Sequence, residues 1–378
     1  MKLFDVYSLL PIEPVSASGC WIWDKLQTKY LDLYGGHAVI SVGHNHPWYN
    51  EAIIRQLEKI SFYSNSVMNP LQEELAAKLG ELAGYEGHNL FLCNSGAEAN
   101  ENALKLASFV TGRKKIIAMK KAFHGRTSGA VAITDNPKIQ APFNTGHHVT
   151  FVAMNDTAAL DEALTQDVAA VIIEGIQGVA GIHEPSAEYL QHAARKAAAN
   201  GSLLILDEIQ SGYGRTGRFF AHQYADIRPD LITVAKGMGN GFPIGGVLIG
   251  KDLQPWQGML GTTFGGNHLA CVAAIAVLDI IRTENLIENA RQMGAYITEY
   301  LPPAGLTSPI RGKGLMLGFD VPESHKGLRN DLLHRHHIFT GEAKPNVIRL
   351  LPPLTLNHEE AARLIEAVAA EFSELPTA

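Results

Sequence analysis

Apolar residues recur along this chain in two rhythms. Between residues 149 and 250, short β-branched and leucine runs alternate with helical stretches. The runs at 149–153, 169–173, 202–206, 231–235 and 247–250 read as strands, and 156–165 and 186–200 read as helices. Strands separated by helices predict a mostly parallel sheet covered on both faces, because such strands are apolar along their whole length. Upstream, residues 20–34 (CWIWDKLQTKYLDLY) place two aromatic-rich runs around a polar turn, the pattern of a hairpin. Residues 70–83 and 95–111 have helical apolar spacing. After about residue 305 the rhythm changes. Candidate strands at 315–321 and 346–351 flank a helix around 326–336, and a last helix spans 358–373. That end of the chain predicts a smaller α+β unit.

Three of the strand-like runs end in a functional group: Glu174, Asp207 and Lys236. In open parallel sheets, ligands bind beyond the carboxyl ends of the strands, so two carboxylates and a lysine at three such ends point to one crevice. A single charge ending a strand would read as the start of a solvated loop. Lys236 precedes Gly237-Met238-Gly239-Asn240-Gly241-Phe242-Pro243, whose glycines let the backbone turn tightly beside a ligand. A lysine in a dry site loses its proton and attacks carbonyls. A dinucleotide loop is excluded there, since the spacing is not G-x-G-x-x-G and Pro243 interrupts the helix that should follow.

Other motifs keep two readings each. In Asn94-Ser95-Gly96-Ala97-Glu98, Ser95 and Glu98 fit an S-x-x-E capping box with Gly96 exposing the first amides. This is a helix start suited to an anion such as phosphate, or simply an ordinary capped helix. Phe123-His124-Gly125-Arg126-Thr127 offers a ring to cover a planar ligand and an arginine to clamp a carboxylate, or a packed loop with a surface arginine. Thr262-Thr263-Phe264-Gly265-Gly266-Asn267 offers hydroxyls and amides suited to phosphate. Arg349 sits in an apolar run and needs a partner, whether structural or a ligand. His44, His46, His334, His336 and His337 give no metal ligand set, and none is expected.

Composition narrows the classes. A chain of 378 residues exceeds a single core of roughly 250–300, so two domains are expected. At 46% hydrophobic residues it is no disordered chain, and a net charge of −7 without a basic stripe argues against nucleic acid. Three cysteines (Cys20, Cys93, Cys271) suit buried thiols in a reducing compartment better than a disulfide frame. The amino terminus does not read as a signal peptide, and the apolar run 271–281 falls short of a membrane span of about 20 residues. The expectation is a soluble, cytoplasmic protein without membrane partners.

Taken together, SGAEANENALKLA, AFHGRT, LLILDEIQSGYGRTG, ITVAKGMGNGFPIGG, TTFGGN and RLLPPL stand in the order seen in class III aminotransferases. The chain resembles these fold-type I, pyridoxal-phosphate (PLP) enzymes from about residue 19 to 354, most of all the acetylornithine and succinylornithine aminotransferases. The resemblance implies a large PLP-binding domain over 46–274 and a small domain made of 1–45 and 275–378 together. It implies that Lys236 links to the PLP aldehyde and later moves a proton, and that Asp207 pairs with the pyridine nitrogen. By the same resemblance Gln210 bonds the ring hydroxyl, Phe123 stacks on the ring, and Ser95, Gly96 and Ala97 hold the phosphate. Thr263 would reach the phosphate of a neighbouring subunit, which makes the functional unit a homodimer. Thr262 would lie near substrate, Arg126 would bind the α-carboxylate, Arg349 a second carboxylate such as that of 2-oxoglutarate, and Glu174 would support the site from behind.

The implied reaction moves the 5-amino group of an N2-acylornithine to 2-oxoglutarate in arginine biosynthesis. Ornithine or 4-aminobutyrate aminotransferase and a semialdehyde aminomutase are the alternatives within the class. A nicotinamide dehydrogenase or a PLP-binding protein without catalysis lies outside it. One departure stands out: the family commonly reads E-P-x-Q-G-E after the strand ending at Glu174, and here the last glutamate is Val179. In ornithine δ-aminotransferases that glutamate masks the arginine matching Arg349, so here Arg349 is expected to stay open to a distal anion, favouring a succinyl over an acetyl donor. Gly35-Gly36-His37 also lacks a tyrosine that those ornithine enzymes carry in this region, which argues mildly against free ornithine.

Overall fold

The computed structural model describes residues 1–301, 306 and 308–373. Its strands fall into three sheets. The chain opens with β1 (Pro14–Ser18), β2 (Trp21–Asp24) and β3 (Lys29–Asp32). The central sheet takes β4 (Asn89–Cys93), β5 (Lys115–Met119), β6 (Val149–Val152), β7 (Val168–Glu174), β8 (Leu203–Asp207), β9 (Leu231–Val234) and β10 (Gly245–Ile249). Beyond it lie β11 (Arg311–Lys313), β12 (Met316–Asp320), β13 (Ile338–Phe339), β14 (Gly341–Ala343) and β15 (Val347–Leu350).

The seven-stranded sheet has the order β4-β10-β9-β8-β7-β5-β6. The pairs from β6 through β9 are all parallel, while β10 alone runs against both its neighbours. The expected mostly parallel sheet is therefore present with one reversed strand. All seven residues of β7 and all five of β8 are buried, as continuous apolar runs between two helical layers must be. The register sets Glu174 beside Asp207 and Asp207 beside Thr233. The strand ends are thus aligned before any side chain is considered.

The expected hairpin at 20–34 is β2 paired antiparallel with β3. Its other edge takes β13 in parallel, so the start of the chain shares a sheet with its last third. The third sheet, β11-β12-β15-β14, is antiparallel. The helices expected at 70–83, 95–111, 186–200 and 358–373 are Pro70–Ala83, Gly96–Thr111, Ala187–Asn200 and His358–Ser373. The one around 326–336 is shorter, Leu328–His334. The helix His268–Thr283 had no periodic signal because it is apolar nearly all round, with ten buried residues. Among the described residues no helix is long and apolar enough to cross a membrane. The three cysteines are free and buried. His44 bonds Asp32 at 2.8 Å, His46 bonds Glu284 at 2.9 Å and His336 bonds Glu371 at 2.7 Å, so each is held by its own carboxylate.

Candidate active site

Glu174, Asp207 and Lys236 meet on the wall of one cavity of about 380 Å³. Ser95, Gly96, Ala97, Phe123, Arg126, Val179 and Gln210 line it too. Three strand ends and two loops from distant parts of the sequence converge there, as the sheet topology requires.

Asp207 is buried and accepts three hydrogen bonds from the protein, two at Oδ2 and one at Oδ1, so Oδ1 keeps room for one more donor. Asn100 Nδ2 donates to its Oδ2 at 2.8 Å, the Ile209 amide donates to its Oδ1 at 3.1 Å, and His124 Nδ1 lies 2.7 Å from Oδ2. An ionised carboxylate only accepts, so Nδ1 carries the proton. Burial works against the imidazolium, but the bond and charge of Asp207 outweigh it and raise the His124 pKa. Asn100 is itself fixed, since its Oδ1 accepts the Thr233 hydroxyl at 2.8 Å. Sequence reading missed both Asn100 and His124. The signal for Asn100 was present: it is a polar residue on the buried stripe Ala99, Ala103, Leu106 and Ala107 of the helix Gly96–Thr111.

Glu174 is buried beside this pair and accepts the amides of Phe123 at 3.1 Å and Gly178 at 3.3 Å. Burial pushes its carboxyl up to about 7, with Asp207 adding to the rise and His124 opposing it. Lys236 follows β9 in a left-handed conformation, φ +48, which a non-glycine residue adopts only when its surroundings impose it. The imposition is visible. Asn240 Oδ1 accepts the amides of Ser41 at 2.8 Å and Val42 at 3.0 Å, and the Ser41 hydroxyl donates to Gly237 O at 2.7 Å. Gly239 is required there, since a Cβ would lie 2.0 Å from Phe242 O. Burial lowers the Lys236 pKa; Asp207 and Glu174 oppose this and Arg349 adds to it.

The helix Gly96–Thr111 opens into the cavity. Ser95 caps it by accepting the Glu98 amide at 3.2 Å. Glu98 returns its side chain to the Asn94 amide rather than to Ser95, so the expected capping box is shifted by one residue. The first intrahelical bond runs from Ala99 to Ser95, which leaves the Gly96 and Ala97 amides ahead of it. A Cβ on Gly96 would come within 2.8 Å of Ile209 Cδ1, so a larger residue at the helix start would have to displace that side chain. Gln210 Nε2 donates to His37 O at 3.1 Å, while its Oε1 is buried with no partner among the described residues.

Arg126 is exposed on the cavity wall. Thr262 and Thr263 do not line it: Thr262 Oγ1 accepts the Gly265 amide at 3.1 Å, and Thr263 points to the exterior of the chain. Arg349 stands behind the wall, 4% exposed. Its Nε donates to Glu342 O at 2.9 Å and its Nη1 is buried without a partner. Among the described residues no carboxylate lies within ion-pair distance of it.

The donor set fits PLP. A planar pyridine needs a carboxylate for its nitrogen, an acceptor for its hydroxyl, a cover for its face, amides for its phosphate and an amine for its aldehyde. The wall supplies Asp207, Gln210 Oε1, Phe123, the helix start and Lys236.

The comparisons agree with that set. The family model described as aminotransferase class-III matches residues 6–371. The acetylornithine aminotransferase of Bacillus subtilis is 42% identical, with 96% of this chain and 96% of that protein covered. That of Archaeoglobus fulgidus is 40% identical over the same shares. A solved ornithine aminotransferase from Toxoplasma gondii, with PLP at partial occupancy at its active site, superposes at a TM-score of 0.88 with 30% identity, covering 98% of this chain and 93% of that one. This chain belongs to the class-III aminotransferases, enzymes of the fold-type I architecture that depend on pyridoxal phosphate.

Proposed function

We propose that this aminotransferase moves the 5-amino group of an N2-acylornithine to 2-oxoglutarate, leaving the semialdehyde and glutamate. The observation that carries the reading is the trio Lys236, Asp207 and Glu174 on one cavity, in a chain 42% identical end to end to an acetylornithine aminotransferase. When bound, PLP supplies an electron sink for the charge left on the substrate carbon that loses its proton. Every other task falls to the protein. Lys236 would hold the cofactor at its aldehyde, and its uncharged amine would take a proton from the substrate carbon and return it. Burial favours the uncharged amine that both tasks need.

Asp207 would hold a proton on the pyridine nitrogen, and Asn100 and His124 keep Asp207 in place. Gln210 Oε1 would accept from the ring hydroxyl, and Phe123 would cover the ring and keep water from it. Ser95, Gly96 and Ala97 receive the phosphate at the helix start. Arg126 takes the α-carboxylate and Arg349 the distal one, with Thr262 beside the substrate. Thr263 turns outward to the phosphate of a second copy, so the working unit is a homodimer. Exposed apolar residues around it, Phe62, Tyr63, Met68 and Phe264, support such a contact. We also infer a large domain over 46–274 and a small one joining 1–45 to 275–378, supported by the parallel pairing of β3 with β13. We place this role in the cytoplasm and in arginine biosynthesis.

The test is the visible absorption of the PLP-loaded protein mixed with one donor at a time, without keto acid. N-succinylornithine or N-acetylornithine should bleach it, and 2-oxoglutarate should restore it. Bleaching by free ornithine or 4-aminobutyrate but by neither acylornithine would sink the substrate assignment.

A further inference from the structure

Arg349 is a buried cation with an unused nitrogen, and the residue that holds it is not a carboxylate. Its Cζ lies 5.9 Å from the centre of the Tyr34 ring, within reach of a cation–π contact. The ring has a built seat. Gly341 is the strand partner of Arg349, and a Cβ there would come within 2.4 Å of Tyr34 Cε2. The missing side chain of Gly341 is therefore the space the ring fills. Tyr34 is in turn delivered by an unusual piece of backbone. Gly35, Gly36, His37 and Ala38 are four consecutive left-handed residues, with φ of 54, 54, 70 and 65. Two of them carry side chains, so the conformation is strained and imposed from outside. Asp32 Oδ1 accepts the Tyr34 amide at 3.0 Å and the Gly35 amide at 2.8 Å, and Gln210 ties down His37 O. A Cβ at Gly35 would meet Leu351 O at 2.8 Å, so the turn also requires glycine at that point.

We propose that Tyr34 is a positioning residue for Arg349: its ring, borne on the left-handed turn and seated on Gly341, holds the guanidinium as a receptor for the second carboxylate of a dicarboxylate ligand. The proposal rests on the reading of Arg349 as a carboxylate receptor. A carboxylate partner would hold the same guanidinium but cancel its charge. A neutral aromatic ring orients it and leaves the charge for the ligand. Burial raises the Tyr34 pKa, and the phenol stays neutral at working pH despite the nearby guanidinium, which pulls the other way.

The test uses the PLP-loaded protein and two inert probes, glutarate with two carboxylates and butyrate with one, titrated by calorimetry. Tyr34→Leu should weaken glutarate about tenfold and leave butyrate unchanged, whereas Tyr34→Phe, which keeps the ring, should restore glutarate binding. A merely structural tyrosine would shift both probes together. Gly341→Ala keeps Tyr34 but pushes its ring off the seat, and should reproduce the glutarate loss if Tyr34→Leu does not fold. Glutarate bound equally by the unaltered protein and by the folded variants would overturn the role of Tyr34 alone. An unaltered protein that binds glutarate no better than butyrate would remove the receptor reading of Arg349, and this proposal with it.

Discussion

The cavity wall and the small sheet behind it are finished to different degrees. On the strand-end side, Asp207 accepts from Asn100, His124 and the Ile209 amide, and Glu174 accepts from Phe123 and Gly178. Both carboxylates there are met by protein, and the buried atoms left without a partner among the described residues, Gln210 Oε1 and His124 Nε2, belong to neutral or carboxylate-paired groups. On the small-sheet side, Arg349 is equally buried but keeps one nitrogen unpaired and rests on an aromatic ring. A buried donor without a partner costs free energy in the empty protein, on the order of 1–3 kcal/mol. The contrast teaches which side expects a changing occupant. A resident cofactor is served best by a site completed in advance, because nothing reorganises during the reaction. A substrate anion that enters and leaves is served by a receptor whose last partner is the anion itself.

The first ways to break this comparison act on the finished side, where the effects are largest. Lys236→Ala should lower turnover by roughly 10³-fold or more, while PLP still binds through the ring and phosphate contacts. Substantial turnover by that variant, measured as glutamate formed, would remove Lys236 from its role. Asp207→Asn should come next, at about 10²–10³-fold in kcat. It preserves the shape but ends the charge that holds a proton on the ring nitrogen. His124 then loses the partner that raises its pKa, so its proton should leave at lower pH in that variant. A proton resonance of His124 that titrates identically in both proteins would show that the pair is not coupled.

The finished side was also the more legible one in sequence. Glu174, Asp207 and Lys236 each close an apolar run, and runs of that kind become parallel strands whose ends must align. Ser95 and Gly96 announce a helix start by spacing alone. His124 could not be found that way, since its partner Asp207 is 83 positions downstream and no local pattern links them. The other side gives still weaker signals. Arg349 is a lone cation in an apolar run, and its fixing by Tyr34 depends on Gly341 and on a backbone conformation that no periodicity encodes. The Gly35-Gly36 pair permits a left-handed turn, but it does not specify that His37 and Ala38 continue it. The helix His268–Thr283 escaped for the opposite reason: it is too uniformly apolar to show a face.

A smaller effect separates charge from shape on the finished side. The Glu174 carboxyl is pushed up to about 7 from an ordinary value of 4.5, mainly by burial. A carboxyl raised on folding costs nothing below the ordinary value, where both folded and unfolded chains are protonated. As pH rises from about 4.5 to 7 the unfolded chain ionises first, and folding stability drains until the folded carboxyl ionises too. Glu174→Gln removes that drain. In the cofactor-free protein its stability relative to the unaltered chain should climb by about 3 kcal/mol between those pH values and stay level above. The amide pairs imperfectly with the Phe123 and Gly178 amides, which adds a constant offset, so the slope of the urea midpoint against pH is the readout. A flat difference would mean that Glu174 ionises as an ordinary carboxylate.

The smallest expected effect addresses the open side directly. Val179 lies on the cavity wall, at the position where ornithine enzymes of the family carry the glutamate that masks the arginine. If the small-sheet side is open because no carboxylate is supplied, then Val179→Glu should close it. The new carboxylate competes with the distal anion of the ligand for one guanidinium, and close charge pairs in dry sites are worth a kcal/mol or several. KM for 2-oxoglutarate should rise about tenfold and that for N-succinylornithine by a similar factor. KM for N-acetylornithine, which has no distal anion, should change little, so the succinyl-to-acetyl ratio of kcat/KM falls. That ratio is insensitive to a general loss of folded enzyme, because both substrates report on the same molecules. A ratio that stays fixed while Val179→Glu remains active would show that the acyl end of the donor never reaches Arg349, and would leave the receptor to the keto acid alone.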